Sequence, residues 1–415
     1  MVKSPPPIVQ TATVSFAEVR RLFSALRIIL SPSHICAPLC HAWSRCLTGR
    51  IFGFTVWATV AVALLIPTPP APVQAATLTA DIYSSPGPEQ MVPTTIVPAD
   101  ESGLYFTMDE MPQGVVASRE DLEMLTDCWG ASQMQVQEAW QAAGPLETVL
   151  VAVLDTGIDV DNPHLCDRVV ASVAVIDTSG VDDVFGHGTH IASTITTIAP
   201  NSLLLNIKVA DDRGFCHPQD VAEAIRLAAN RGAAVINLSL QVESSPDLEA
   251  AVEYAWGKGA VLVAAAGMPV PNSPSFQGLI GMPVPTDGPC RPPMSPPIYP
   301  AFYAHTIAVT GTNEYNELAP VSNRAEWVDV AAPGYRTFSD MPDGERGYLT
   351  GTSTATAHVA GLAALLYGLA EDKNGDGRVN DEVRRAIEAT AEPLAIEGTG
   401  SGIVNALAAV AYLSA

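Results

Sequence analysis

The chain has 415 residues, 48% of them hydrophobic, and a formal net charge of −23 at neutral pH. That length accommodates one large domain or two modest ones, and the acidity argues against nucleic acid or an anionic membrane as a partner. The charge is uneven: residues 1–75 carry Lys3, Arg20, Arg21, Arg27, Arg45 and Arg50 against a single acid, Glu18.

In chain order, residues 1–50 read as a basic leader. Residues 51–66 are an apolar run without charge, followed by PTPPAPVQA, whose small residues suit cleavage after Ala75. A membrane span needs about 20 apolar residues. Residues 51–75 therefore read as a signal peptide and the product as secreted, extracellular or periplasmic, without stable membrane association. The alternative is an uncleaved anchor through 51–66. Residues 76–127, rich in Pro, Thr and acids, read as a linker or short propeptide. Beyond the leader, Cys128, Cys166, Cys216 and Cys290 remain. They allow up to two disulfides, with free buried thiols as the alternative, and their spacing matches no zinc pattern.

Residues 135–143 have a helical period, with Val136, Ala139 and Trp140 on one face. A continuous apolar run at 149–154 suits a strand buried on both faces, and comparable runs lie at 203–209, 234–240, 260–266 and 306–309. Amphipathic stretches at 187–198, 218–230 and 248–258 separate them. The alternation predicts an α/β fold, a mostly parallel twisted sheet with helices on both faces and right-handed crossovers. Ligand sites in such folds lie beyond the carboxyl ends of the strands.

Three polar clusters fall there. Asp155-Thr156-Gly157 closes the first apolar run and suits a buried carboxylate, although an isolated D-T-G more often caps a turn. Gly186-His187-Gly188-Thr189-His190 opens a helix. His187 and His190 lack the glutamate of a zinc HExxH helix. Ser353 follows Gly351 at the start of an apolar helix, where unpaired N–H groups favour negative charge; alone it would read as a helix cap. Together the three supply a nucleophile, a base and a group to orient the base.

DTGID, GHGTHIAS and GTSTATAHVAG, in that order, resemble the three catalytic blocks of the subtilisin-like serine peptidases, the subtilases. The resemblance runs from about Trp129 to the C-terminus. It implies a subtilisin-like α/β domain over 128–415, an Asp155–His187–Ser353 triad, and hydrolysis of protein or peptide substrates through an acyl-enzyme. No cofactor is required for catalysis, and a monomer is expected. It further implies substrate contacts from Ser239, Leu240, Gln241 and Gly267, and an oxyanion hole using the Ser353 N–H. The asparagine usual beside that N–H is replaced by Met268, with Asn237 and Asn272 as candidate substitutes. A slow enzyme follows, with a weakened binding or scaffold protein of the same fold as the alternative.

Further departures are Thr354 for a methionine, Ala357 for a proline, Gln241 for a glycine, and His164 for an aspartate that holds calcium in many relatives. Separately, Asp372, Asn374, Asp376, Arg378 and Asn380 stand at alternate positions of a loop with Gly377 sixth, resembling a structural calcium loop. Its twelfth position is Val383, and a polar N-G-D-G turn between two helices is the competing reading.

Overall fold

A computed structural model describes residues 97–98, 128–178, 180–268 and 294–415. The expectations for 1–50, 51–75 and nearly all of 76–127, and those for Asn272 and Cys290, lie outside these residues.

The strands are β1 (Val97–Pro98), β2 (Val149–Asp155), β3 (Val169–Ala174), β4 (Ser202–Lys208), β5 (Val235–Leu238), β6 (Val261–Ala265), β7 (Thr306–Thr312) and β8 (Val330–Pro333). They form one sheet in the order β1-β3-β4-β2-β5-β6-β7-β8. Every pairing is parallel except that of β1 with β3, so the dipeptide Val97–Pro98 lines the sheet edge. A small hairpin, β9 (Thr337–Asp340) with β10 (Arg346–Leu349), stands apart. The helices are α1 (Trp129–Gln133), α2 (Val136–Ala143), α3 (His187–Ile198), α4 (Pro218–Asn230), α5 (Pro246–Gly257), α6 (Thr352–Tyr367), α7 (Asn380–Ala389) and α8 (Ala406–Leu413).

The sheet is buried because its strands are apolar on both faces. All seven residues of β2 are buried. Val149, Val151 and Val153 face the core shared with α2, α3, α6, α7 and α8. Leu150, Ala152 and Leu154 face the core shared with α4 and α5. That is the alternation a pleated strand imposes, and each fully buried Val, Leu or Ile contributes roughly 1.5–3 kcal/mol. Helix α6 is buried all round except near Ser353 and Tyr367, as its nearly uniform apolar sequence requires. It packs on α3 where Gly361 meets Ile195 and Ile198; a Cβ there would lie 2.6 Å from the Ile198 Cβ.

Two features position the site. From β2 the chain fills one side of the sheet through β3 and β4, then crosses back to β5 on the other side. A crevice opens beyond the carboxyl end of the strand at such a reversal, and Asp155 is the last residue of β2. The domain is also closed end to start: the Ala406 N–H donates to the Met134 carbonyl at 2.7 Å, and Asn405 Nδ2 to Gln135 Oε1 at 2.9 Å, so α8 lies on α2.

Helices α3 and α4 have the predicted bounds. Helix α5 begins two residues early, because Ser245 caps the Leu248 N–H at 3.1 Å and Pro246 suits the first helical position. Strand β5 ends at Leu238 rather than 240, since Ser239 leaves the sheet to bond the Ser353 carbonyl. The disulfide expectation is corrected: Cys128, Cys166 and Cys216 are free thiols, buried, exposed and half-buried respectively, so neither bridge of any pairing forms among the described residues. Among those residues, no helix is long and apolar enough to cross a membrane.

Candidate active site

Where β2 runs out, Gly157 has φ +110°, and a Cβ there would meet the Val181 carbonyl oxygen at 2.6 Å. Only glycine allows the turn. A Cβ on Gly188 would run into the Gly157 carbonyl oxygen, so the end of β2 and the start of α3 touch through two glycines. Between them Asp155, 4% exposed, accepts hydrogen bonds on Oδ1 from the Thr156 N–H and from His187 Nδ1–H, both at 2.8 Å. With Nδ1 donating, His187 Nε2 keeps its lone pair, the arrangement a general base needs. Burial disfavours the charged ring. The charge and hydrogen bond of Asp155, with the charge of Asp183, outweigh that cost and hold the His187 pKa above its ordinary value.

Ser353 is the second residue of α6 and is half-exposed between buried neighbours. Its N–H belongs to the first helical turn, where donors point out of the helix. The start of α6 is pinned from two strand ends. Ser239 Oγ donates to the Ser353 carbonyl at 2.9 Å, and the Gly267 N–H donates to Thr352 Oγ1 at 3.0 Å. Helices α3 and α6 run side by side in one direction, since His190 lies within electrostatic reach of His358 and Ile195 and Ile198 meet Gly361 further along. His187 and Ser353 therefore both stand at the head of a helix, at the same end of the pair.

The residues predicted to contact substrate behave differently from one another. Ser239 is buried and spent on internal bonds, accepting from Asn237 Nδ2 at 3.0 Å. Leu240 is half-buried and Gln241 exposed. Gln241 Oε1 lies only 2.6 Å from where a Cβ on Gly267 would be, so this side chain reaches across the gap between the ends of β5 and β6. Met268 is 55% exposed and offers no donor. Asn237 is fully buried with its amide committed to Ser239, which removes it as a substitute.

His164, which departs from the aspartate that holds calcium in many relatives, and the proposed calcium loop at 372–380 are both engaged in internal hydrogen bonds. His164 Nδ1 bonds Asp340 Oδ2 at 2.9 Å, Ser193 Oγ donates to the same oxygen at 2.8 Å, and Arg346 pairs with Asp340 Oδ1. Around Asp340 the partners are donors, which leaves no place for a cation. In the loop, Asp372 accepts the N–H groups of Gly375, Asp376 and Gly377, while Arg378 pairs with Asp376 at 2.6 Å. Asn380 is buried and turned to the Trp256 carbonyl at 3.0 Å. The loop has closed on its own hydrogen bonds, and among the described residues no group of three or more His, Cys, Asp or Glu side chains is arranged to hold a metal. The polar-turn reading fits better.

Two buried residues, Asp183 and Asn323, escaped the sequence reading, and the ion-pairing role of a third, Lys208, went unread. Asp183 accepts from Thr156 Oγ1, Gly186 N, Thr189 N and Thr189 Oγ1. Lys208, 1% exposed, bonds the carbonyls of Thr156 and Asp182 and the Asp212 carboxylate. A lone lysine inside an apolar run was a readable signal, because a buried cation requires such partners. Asn323 holds Ala266 and Gly267 through Nδ2 to the Ala266 carbonyl (2.8 Å) and its own N–H to the Gly267 carbonyl (3.0 Å); its sequence context gave no sign of this.

The sequence model of the subtilase family matches residues 147–406. A thermophilic serine proteinase of Bacillus sp. (strain AK1) is 37% identical over 300 residues, covering 68% of this chain and 67% of that protein. Thermitase of Thermoactinomyces vulgaris is 35% identical, covering 68% of this chain and 96% of thermitase. Subtilisin Savinase of Lederbergia lenta is 36% identical, covering 68% and 97%. Among solved structures, MycP1 with its N-terminal propeptide removed superposes with a TM-score of 0.55 at 26% identity, covering 68% of this chain and 96% of MycP1. The matched span contains the whole parallel sheet, the Asp155–His187 pair and the head of α6, and on that ground the chain belongs to the subtilase family and is a serine-type endopeptidase.

Proposed function

We propose that the chain is an exported endopeptidase whose Asp155, His187 and Ser353 hydrolyse peptide bonds of protein substrates through an acyl-enzyme. The observation that carries the reading is the 2.8 Å bond from His187 Nδ1 to Asp155, which leaves Nε2 as the base, with Ser353 in the first turn of the neighbouring helix α6. Ser353 Oγ attacks the carbonyl carbon as its proton passes to His187 Nε2. The oxyanion forms against the Ser353 N–H, and Asp155 stabilises the imidazolium. The Nε2 proton then goes to the leaving amine. Water, deprotonated by the same nitrogen, attacks the ester, and the acid product leaves as the proton returns to Ser353. Met268 cannot donate to the oxyanion. In a subtilisin, loss of that one donor lowers turnover by about 10²–10³, so the same reading makes this enzyme slow.

Residues 51–75 act as the export signal, 76–127 as a short propeptide and 128–415 as the peptidase domain, working as a monomer on substrate backbone laid along residues 239–241 and Gly267. A fluorophosphonate probe tests the reading on folded mature protein. It labels Ser353 in the parent and not in His187→Ala; a folded parent that takes no label overturns it.

A further inference from the structure

A hydrogen bond at one ring nitrogen does not by itself keep an imidazole in register with a carboxylate on another element. The backbone of residue 187 must be held to that of residue 155 as well. One carboxylate does this. Asp183 is 5% exposed, and its Oδ1 accepts from Thr156 Oγ1 at 2.8 Å and from the Gly186 N–H at 2.7 Å. Its Oδ2 accepts from the Thr189 N–H at 2.8 Å and from Thr189 Oγ1 at 2.7 Å. Thr156 Oγ1 in turn accepts from the Gly188 N–H at 3.0 Å. The residue after Asp155 and the residues on both sides of His187 thus meet at a single side chain. Four acceptor sites are in use, as many as a carboxylate offers and more than an amide oxygen can supply.

The charge is equally informative. Among the described residues, no Lys or Arg ion pair with Asp183 is seen. The nearby Lys208 ammonium goes instead to the carbonyls of Thr156 and Asp182 and to Asp212. All four partners of Asp183 are neutral donors, so no ion compensates the carboxylate's field. That field falls on the first turn of α3, where a negative charge is favoured, and on the ring that becomes positive when it accepts the Ser353 proton.

We propose that Asp183, acting through Thr156, is a positioning residue that holds His187 against Asp155 and stabilises the imidazolium during proton transfer. The inference rests on the proposed triad but carries its own readout. The charged and titratable groups around the ring are Asp155 from β2, Asp183 from the loop before α3, Lys208 from β4 across the Thr156 carbonyl, and His190 one turn along α3. Cys216 lies beyond, in the field of Asp155.

Two variants separate position from charge. Asp183→Asn removes the charge and two acceptor sites. Thr156→Val cuts the tie to β2 and leaves the charge, and Thr156→Ser restores the tie. In a Ser353→Ala background, where catalysis plays no part, NMR titration of His187 shows its proton affinity lowered about tenfold by Asp183→Asn and unchanged by Thr156→Val. In the active enzyme both variants lower kcat about tenfold or more with KM within about twofold. The acid limb of kcat/KM moves to lower pH only in Asp183→Asn, and Thr156→Ser recovers the parental kcat. An unchanged His187 titration in folded Asp183→Asn, or a parental kcat in Thr156→Val, overturns the proposal; if Asp183→Asn does not fold, the Thr156 pair decides. Failure of fluorophosphonate labelling in the parent would instead remove the triad reading, whatever the titration showed.

Discussion

Acidification should weaken this fold through two histidines that take no direct part in catalysis. His190 and His358 are fully buried and neutral. His190 Nε2–H donates to the Thr337 carbonyl at 3.0 Å, and its Nδ1 has no partner. His358 Nδ1–H donates to the Thr354 carbonyl at 2.8 Å, with the Cys128 thiol 3.6 Å from Nε2. Burial lowers each pKa from 6.5 to about 4, more than the hydrogen bonds to backbone carbonyls restore. Between those values the unfolded chain binds a proton at each position that the folded chain refuses, so stability falls as pH falls. One unit is worth about 1.4 kcal/mol, so each ring accounts for roughly 3 kcal/mol across the whole window. At about pH 4.5 the two together cost roughly 5 kcal/mol relative to about pH 7.

His187 works in the opposite direction. Its raised pKa gives stability that is complete below the unfolded value and lost as pH rises through the folded one. Urea denaturation of the Ser353→Ala protein, which cannot digest itself, at these two pH values measures the sum. The same pair of measurements on Ser353→Ala/His190→Gln/His358→Gln isolates the two rings, because His187 and the carboxylates are common to both proteins. The triple variant is less stable at about pH 7 but loses roughly 5 kcal/mol less on acidification. An equal loss in the two proteins would refute the reasoning.

Other outcomes follow from the same geometry. Met268→Asn supplies the absent donor and raises kcat about 10²-fold or more with little change in KM; an unchanged kcat, measured on a peptide ester, would show that position 268 does not face the oxyanion. Gln241→Gly clears the side chain that crosses Gly267 and improves kcat/KM for substrates with a large side chain before the scissile bond by about tenfold relative to alanine there, which a matched peptide pair would detect. Gly188→Ala drives a methyl into the Gly157 carbonyl and displaces His187 from Asp155, lowering kcat by about 10²-fold; parental activity would mean that the two glycines need not touch. Calcium added to chelator-treated protein leaves Tm unmoved, since Arg378 occupies Asp376 and Asn380 faces the core; a rise that saturates with calcium would count against the closed loop.

Much of this was legible because local signals agreed with the global fold. The runs that became β2 and β6 are apolar throughout, and those that became β4, β5 and β7 are apolar but for a few buried polar residues such as Asn206, Lys208 and Asn237. That pattern suits a parallel sheet covered on both sides, and α3 and α4 begin and end where their periodicity does. Asp155, His187 and Ser353 were legible as types at strand ends and helix starts. That Asp155 and His187 pair was legible only through the resemblance of the three blocks to a known family, because spacing along the chain does not encode which strand ends are neighbours. Strand β3 went unread: four of its six residues are only half-buried at the sheet edge, so its pattern is weaker than that of the central strands. The hairpin β9–β10 has no apolar run, and it is recognisable only from the pairing of its strands, from Arg346 with Asp340 to Leu349 with Thr337. Asp183 shows the limit most clearly. An aspartate in a loop beside another aspartate looks solvated, and only the arrival of four donors from two other elements makes it part of the interior.

The contact between α8 and α2 has a consequence for how the polypeptide can be cut and rejoined. Since residues 134–135 touch residues 405–406 directly, α2 and the last helix, α8, are neighbours, and a Gly-Ser bridge from the end of α8 to the start of α1 would join the two ends of the domain. New ends could then be opened in an exposed surface turn such as Gly375–Gly377, giving a circularly permuted protease that starts with α7 and α8 and carries no leader ahead of them. Whether such a molecule reaches its native state unaided would show how far the fold depends on being synthesised with a leader in front.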